Sequence, residues 1–340
     1  MPGRFIADHG MTVQAVKMAA KHSNSSSIGL LLDQEKAYDR IHPDYLRQVL
    51  AKFNAPPVLI HSIMSLFFST SIQVNVNGHL TSTPIIQKRG LRQGDPLSPL
   101  LFNIAFDPFV RSIAQNHLFS GFDFDKEKLT CSSDQSGVDL LISDLANLRV
   151  TPTLNEVIAS LSQMDPYSSP GSFATPSPTS PVSIKILAYA DDTVVLLRDA
   201  ADFHLLQTAI TTYTLASNAS LNYSKTEAFS LSGSSLPHWQ SLLSSFDITS
   251  WHDRSSPSPL RYLGYPLCSS ITQRNVAFSR LLETVRQSCF LHSQRQLSIR
   301  GRVTVLNTLI YSKLWHTSPL FSFTKAQLSA LRSAGAAFIN

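Results

Sequence analysis

Apolar residues between positions 11 and 20 recur at helical spacing and give way to the polar run His22 to Ser27, which predicts a helix followed by a loop. Ile28-Gly-Leu-Leu-Leu32 is a short continuous apolar run ending on Asp33, the pattern of a buried strand. A Leu-, Lys- and Arg-bearing helix is expected over 45–53, stopped by Pro56-Pro57. Residues 72–76 alternate apolar and polar, and Asn77-Gly78 then supplies a hairpin signal that pairs them with 81–86. A Gly/Pro-punctuated loop over 89–99 leads into an apolar helix over 100–113. The character changes from about 119 to 182. Residues 165–181 hold five prolines in 17 residues and no Val, Leu or Ile, too little apolar surface to offset the entropy of ordering, so a disordered excursion is expected there. Residues 138–161 carry enough Leu and Ile for one or two helices. Two apolar half-runs over 184–197 flank Asp191 and Asp192, as in a hairpin with acids at its tip. A helix over 203–218, a strand over 225–231, a linker at 255–259, a turn or strand pair at 262–267 and a mostly helical 276–337 complete the pattern. No internal repeat is visible.

Composition narrows the class. The 340 residues are 43% apolar and only 15% charged, against about a quarter charged in average chains, so most of the sequence is expected to fold. The formal charge is +5, which permits a polyanionic partner without requiring one. Its distribution says more: after Glu283 no Asp or Glu occurs, while Arg286, Arg295, Arg300, Arg302, Lys313, Lys325 and Arg332 follow. Cys131, Cys268 and Cys289 form no CxxC pair, and an odd count favours a reducing, intracellular compartment. No signal peptide, no apolar stretch of about 18 residues and no membrane partner are expected.

Asp191 and Asp192 alone read as a solvated turn, since Asp is common there. Asp33 alters that reading, because it too ends a buried-looking apolar run, where a lone carboxylate is costly without a cation or partner. Two such strand ends together make a carboxylate cluster. Mg²⁺ takes oxygen ligands and is often held by one or two carboxylates plus substrate phosphates, and paired ions clamp both oxygens of a phosphoryl transfer.

Five words carry a resemblance. Asp33-Gln-Glu-Lys-Ala-Tyr-Asp39, Arg92-Gln-Gly-Asp-Pro-Leu-Ser-Pro-Leu-Leu-Phe-Asn103, Tyr189-Ala-Asp-Asp192, Leu221-Asn-Tyr-Ser-Lys-Thr-Glu227 and Tyr262-Leu-Gly-Tyr-Pro-Leu267 resemble, in order, the signature blocks of reverse transcriptases of non-LTR, LINE-like retrotransposons. The resemblance implies an α+β right-hand polymerase fold of fingers, antiparallel palm sheet and helical thumb. It would comprise partial fingers and first palm over 1–118, an insertion over 119–183, the rest of the palm over 184–268 and a thumb-like region over 269–340. It implies an RNA-directed DNA polymerase that adds deoxynucleoside triphosphates to a DNA primer on an RNA template, with two Mg²⁺ ions and Mn²⁺ as a substitute.

Asp33, Asp191 and Asp192 match the family's catalytic, metal-holding positions, with Asp33 and Asp191 the more direct ligands. Tyr38 matches the aromatic beneath the incoming sugar, with an ordinary core aromatic as its alternative. Gln93 and Gly94 match the loop facing templating base and nucleotide, and Lys225 a lysine near the triphosphate. Tyr262, Leu263 and Gly264 match the hairpin that positions the primer end. Arg300 and Arg302 are expected to contact phosphates from the acid-free stretch, with Leu297, Ile299, Val303, Leu306 and Leu309 as its packing face. Asp39 and Asp95 are set aside as ligands. The basic upstream fingers block of the family is missing, and Pro2 to Ile6 resembles the following block, so an N-terminally truncated domain is expected. The rival expectations are an inactive retroelement relic that keeps the fold and binds nucleic acid, and a polymerase of ribonucleotides, against which Tyr38 argues. A nuclear site of action would suit a retroelement enzyme.

Overall fold

The computed structural model describes residues 6–68, 70–124 and 183–340. The excursion expected over 165–181, the helices expected over 138–161, and Cys131 lie outside the described residues. Those described fall into two compact units, one of residues 6–31 and 227–340, the other of 32–124 and 183–226.

In the first unit, helix α1 (Ile6–His22) precedes strand β1 (Ile28–Leu32), whose last residue falls in the second unit. With strands numbered in chain order, β10 (Glu227–Ser230) pairs antiparallel with β1, setting Gly29 opposite Phe229. A Cβ on Gly29 would fall 2.3 Å from the Phe229 ring, so the ring lies across the strand and only glycine leaves it room. Strand β11 (Ser250–His252) joins β10 in parallel. This pair departs from the antiparallel sheet expected: β10 and β11 are joined through a helix (Pro237–Ser244), and such a crossover allows a parallel return.

The two short strands Leu260–Tyr262 and Tyr265–Leu267 form a hairpin. Helices Ile271–Ser293, Ile299–Val305, Ser312–Thr317 and Lys325–Ile339 follow. Their core is Val285, Cys289, Leu306, Ile310, Leu314, Leu331 and Phe338. The packing face expected here is corrected. Of its five residues only Leu306 is buried, while Ile299 is 70% and Leu309 50% exposed. A π-helical turn at Leu306–Ile310 inserts extra rotation, and the buried face passes to Leu306, Ile310 and Leu314. Arg302 caps this bundle, donating to the carbonyls of Phe338 and Ile339 at 3.3 Å each, where a helix C-terminus favours a cation.

In the second unit, α2 (Pro43–Lys52) and α3 (Pro57–Phe67) are separated by residues 53–56. Pro56-Pro57, expected only as a stop, also starts a helix: Pro57 is the first residue of α3, a position that suits proline because its missing N–H has no partner to lose. The Asn77-Gly78 hairpin forms, both residues left-handed at φ 51° and 90°. Its arms are broken into two-residue pairs, Asn75–Val76 with His79–Leu80 and Ser71–Ile72 with Ile85–Ile86. Helix α4 (Ser98–Ala114) buries Phe102, Phe106 and Phe109, spaced for one face. Strands β8 (Ile186–Tyr189) and β9 (Asp192–Leu197) form the expected acid-tipped hairpin, and α5 (Ala200–Ser217) follows. Asp202, buried at the start of α5, accepts N–H bonds from Ser120, Gly121 and Arg198 at 2.7–3.0 Å. It fixes the entry to the short pair Phe122↔Ile184 and Asp123↔Ser183.

Candidate active site

All three candidate acids lie in the second unit. Asp33 directly follows β1, and its carbonyl accepts from the Asn222 N–H at 2.9 Å. Gln34 bridges Leu221, and the Glu35 N–H donates to Ser220 O at 2.9 Å. The word Leu221 to Glu227 is therefore laid alongside the start of the word Asp33 to Asp39. Lys225 sits exposed in the 3₁₀ turn Tyr223–Lys225, capped by the Asn222 side chain.

Residues 35–40 turn back on themselves, with Lys36 left-handed at φ 51°. An Arg40–Glu35 ion pair and the Asn218 amide, which donates to Arg40 O at 3.3 Å, close the turn. The loop that carries Gln93 docks on it. Leu91 N–H donates to Tyr38 O and Gly90 N–H to Ile41 O, both at 2.9 Å. A Cβ on Gly90 would fall 2.8 Å from Asp39 O, and its φ is +85°. Sequence reasoning missed Gly90; the signal was a glycine four residues ahead of the one singled out. Arg92 is spent inside the unit, donating to Leu66 O and lying over the Phe67 ring at 5.6 Å. Asp95 accepts from the Leu97 N–H at 2.9 Å at the start of α4, which suits its exclusion as a ligand. Gln93 and Gly94 are exposed, and no described atom lies within 4 Å of where a Gly94 Cβ would stand. The backbone there, at φ +88°, is open to a partner from outside.

Tyr38 is half-buried and stacks on Phe102 at 4.7 Å with rings 15° apart. Phe102 in turn stacks on Phe106, so α4 supplies an aromatic floor that fixes the Tyr38 ring. The Tyr38 hydroxyl is pushed up in pKa, first by burial and then by the charge of Asp191. Tyr38 thus has one face in the core and its hydroxyl within electrostatic reach of the acids.

Asp191 and Asp192 are exposed at the β8–β9 tip, where Ala190 holds φ +53°. That is an uncommon conformation for a residue with a Cβ, and such strain collects at functional sites. The Asp192 carboxyl is raised above the ordinary aspartate range, first by partial burial and then by the charges of Asp191 and Asp33. Asp192 thus feels a residue 159 positions away in sequence. Among the described residues, no three His, Cys, Asp or Glu side chains form a ready-made metal cluster. The acids are within range of each other's fields without being a closed coordination shell. The donor set is nonetheless all oxygen, and its mutual repulsion is what a hard divalent cation relieves.

A raised carboxyl has a stability consequence. The fold holds the Asp192 proton more tightly than the unfolded chain does, so this contribution is present at low pH and lost as pH rises through the folded pKa. At pH 7 the charged group is a net cost. Asp192→Asn is expected to raise the urea midpoint at pH 7 relative to wild type, with the difference vanishing toward pH 3. An unchanged midpoint at pH 7 would remove Asp192 from the repulsive cluster.

Residues 2–134 match the family described as reverse transcriptase (RNA-dependent DNA polymerase). The chain is 26% identical over 318 residues to the Transposon TX1 uncharacterized 149 kDa protein of Xenopus laevis, across 93% of this chain and 20% of that protein. These similarities support a reverse transcriptase domain of the non-LTR retrotransposon kind. Two further relatives are Pol polyproteins of R2 retrotransposable elements. The one from Drosophila melanogaster is 30% identical over 33% of this chain and 11% of its own length. The one from Popillia japonica is 40% identical over 23% and 13%. The chain thus matches a fifth or less of the length of these relatives.

The remaining sequence candidates, Tyr262, Leu263, Gly264, Arg300 and Arg302, belong to the first unit. Tyr262 is 1% exposed, so its side chain belongs to the core rather than to a ligand surface. Leu263 and Gly264 form the hairpin turn. Arg300 is exposed, and Arg302 is committed to the carbonyls described above. Among the described residues, no helix is long and apolar enough to cross a membrane.

Proposed function

We propose that this domain is an RNA-directed DNA polymerase, adding deoxynucleotides to a primer 3′-hydroxyl on an RNA template. The observation that supports the proposal is that Asp192 lies within electrostatic range of both Asp191 and Asp33, which comes from a distant word of the sequence. Asp33 and Asp191 would hold divalent cations, taken as two Mg²⁺ with Mn²⁺ as a substitute. When bound, these supply positive charge to the triphosphate and lower the pKa of the attacking hydroxyl. The chain's own residues do the rest. The exposed, left-handed Gly94 backbone and the Gln93 amide offer a surface to the base pair, and Lys225 offers a proton or a charge to the leaving pyrophosphate. Tyr38, backed by Phe102, places a rigid ring where a 2′-hydroxyl would clash.

Primer extension on an RNA template with Mg²⁺ tests the proposal, and incorporation of deoxynucleotides by the wild-type chain is the expected result. Template-primer binding with no extension at any Mg²⁺ or Mn²⁺ concentration would instead support the relic, the reading favoured by the lack of a closed metal cluster among the described residues. Tyr38→Ala is expected to raise ribonucleotide incorporation relative to deoxynucleotide by about tenfold or more, the discrimination that one steric contact of 1–3 kcal/mol supplies. Unchanged discrimination would return Tyr38 to the role of a plain core aromatic.

A further inference from the structure

A cleft of the first unit, about 440 Å³, lies between the hairpin Leu260–Leu267 and the C-terminal helices. Arg261, Arg280 and Lys313 stand at it, Phe321 contributes to its apolar floor, and no acidic side chain is among the described residues that line it. The turn Leu263-Gly264 forms part of one wall. Both of its residues are left-handed, at φ 51° and 83°, the shape of a tight type I′ turn. Leucine is poorly suited to that conformation, so something outside the turn must hold it.

His316 is the residue in place to do so. Its Nε2 lies 3.1 Å from Leu263 O, and because a carbonyl only accepts, Nε2 carries the proton. Its ring stacks on Tyr265, the residue after the turn, at 4.3 Å and 21°. It also fills the space beside Gly264, where a Cβ would fall 2.9 Å from Nε2. One side chain thus touches both residues of the turn and the one that follows while lining the same cationic cleft.

We propose that His316 is a positioning residue that locks the Leu263-Gly264 turn as a wall of the cationic cleft, so that a nucleic-acid strand is received there with its phosphates on Arg261, Arg280 and Lys313. The functional half rests on the polymerase reading above; the locking half does not. His316 touches no reacting atom and acts through the turn. The three cations match a polyanionic backbone in charge, and the apolar floor offers a surface to sugar or base.

Three variants of the full chain separate the hydrogen bond from packing: His316→Ala removes both, His316→Phe keeps the stacking ring, and His316→Gln keeps an N–H donor. For His316→Ala, hydrogen exchange in the free protein is expected to rise about tenfold at the amides of residues 262–265, the factor that one lost hydrogen bond of about 1.4 kcal/mol gives. Its KM for primer-template is expected to rise by a similar factor of about ten, with kcat within about twofold. His316→Gln is expected to recover most of both effects and His316→Phe little of either. Wild-type exchange at the turn in His316→Ala, or His316→Gln matching His316→Ala in both readouts, would overturn the positioning role. A lower melting temperature with unchanged KM would leave His316 merely structural and overturn the strand-receiving half. If the wild-type chain extends no primer, the polymerase reading fails separately. The strand-receiving half is then decided by the dissociation constant for the same primer-template, expected to rise about tenfold in His316→Ala and overturned if unchanged.

Discussion

Asp191→Asn is expected to lower the primer-extension rate on the order of 10³-fold or more while leaving the affinity for template-primer within about twofold, as for removal of a group that acts at the transition state. The expectation follows from where Asp191 sits. It is exposed at the tip of a hairpin whose strands are buried, so its side chain holds up no core. Its charge nonetheless reaches both Asp192 and Tyr38. Asparagine keeps the size and the turn but removes the charge that a divalent cation needs. The fold should survive, and the urea midpoint should stay at or above that of wild type, because one source of repulsion with Asp192 is gone. A rate within tenfold of wild type would mean that Asp191 is an acidic tip and nothing more.

The second large effect concerns stability. Lys17 on α1 is only 7% exposed, donates to Ser269 Oγ at 2.9 Å and lies 5.9 Å from the centre of the Phe229 ring. Burial pulls its pKa down to about 8, with Cys268 opposing weakly. The sign follows directly. The unfolded lysine keeps its proton to about pH 10.4, the folded one releases it near 8, and stability rises with pH across that interval. Below pH 8 the full cost of a buried charge is carried. Lys17→Met is therefore expected to stabilise the protein at pH 7 by about 2–3 kcal/mol, the shift less the lost bond to Ser269. It should also flatten the rise in stability between pH 8 and 10. Cys268, whose thiol is raised by burial and lowered by Lys17 and Arg274, titrates nearby, so the comparison belongs in a Cys268→Ser background. Destabilisation by Lys17→Met at pH 7 would show that the ammonium is held by more than a hydroxyl and a ring.

The local signals that survived in the structure are those with a short-range physical cause. Asn77-Gly78 adopts the left-handed pair that its hairpin needs, and Asp191-Asp192 stands at a hairpin tip because two apolar half-runs pair around it. Asp33 ends a buried strand, as the run Ile28 to Leu32 indicates. What was not legible depended on partners remote in sequence. The stacking of Tyr38 on Phe102, the docking of Gly90 on Asp39, the burial of Lys17 and the grip of His316 on Leu263 join residues 51 to 252 positions apart, and no periodicity announces them. The helical packing face was misjudged because a π turn changes the residue count per turn, which a regular 3.6-residue reading cannot register. Arg302 was expected on phosphate and is on helix carbonyls, because the end of the last helix offers the same partial negative charge.

The proposed polymerase requires Asp33 and Asp191 to act as one site. The most direct test is the rate of deoxynucleotide addition to a primer on an RNA template for wild type, Asp33→Asn, Asp191→Asn and the double variant, each at saturating template-primer and Mg²⁺. Groups that act as a unit are not additive. Each single variant should lose on the order of 10³-fold, and the double variant should lose no more than the worse single one. A double variant whose loss is the product of the two, or Asp33→Asn extending primers at the wild-type rate, would contradict a shared site.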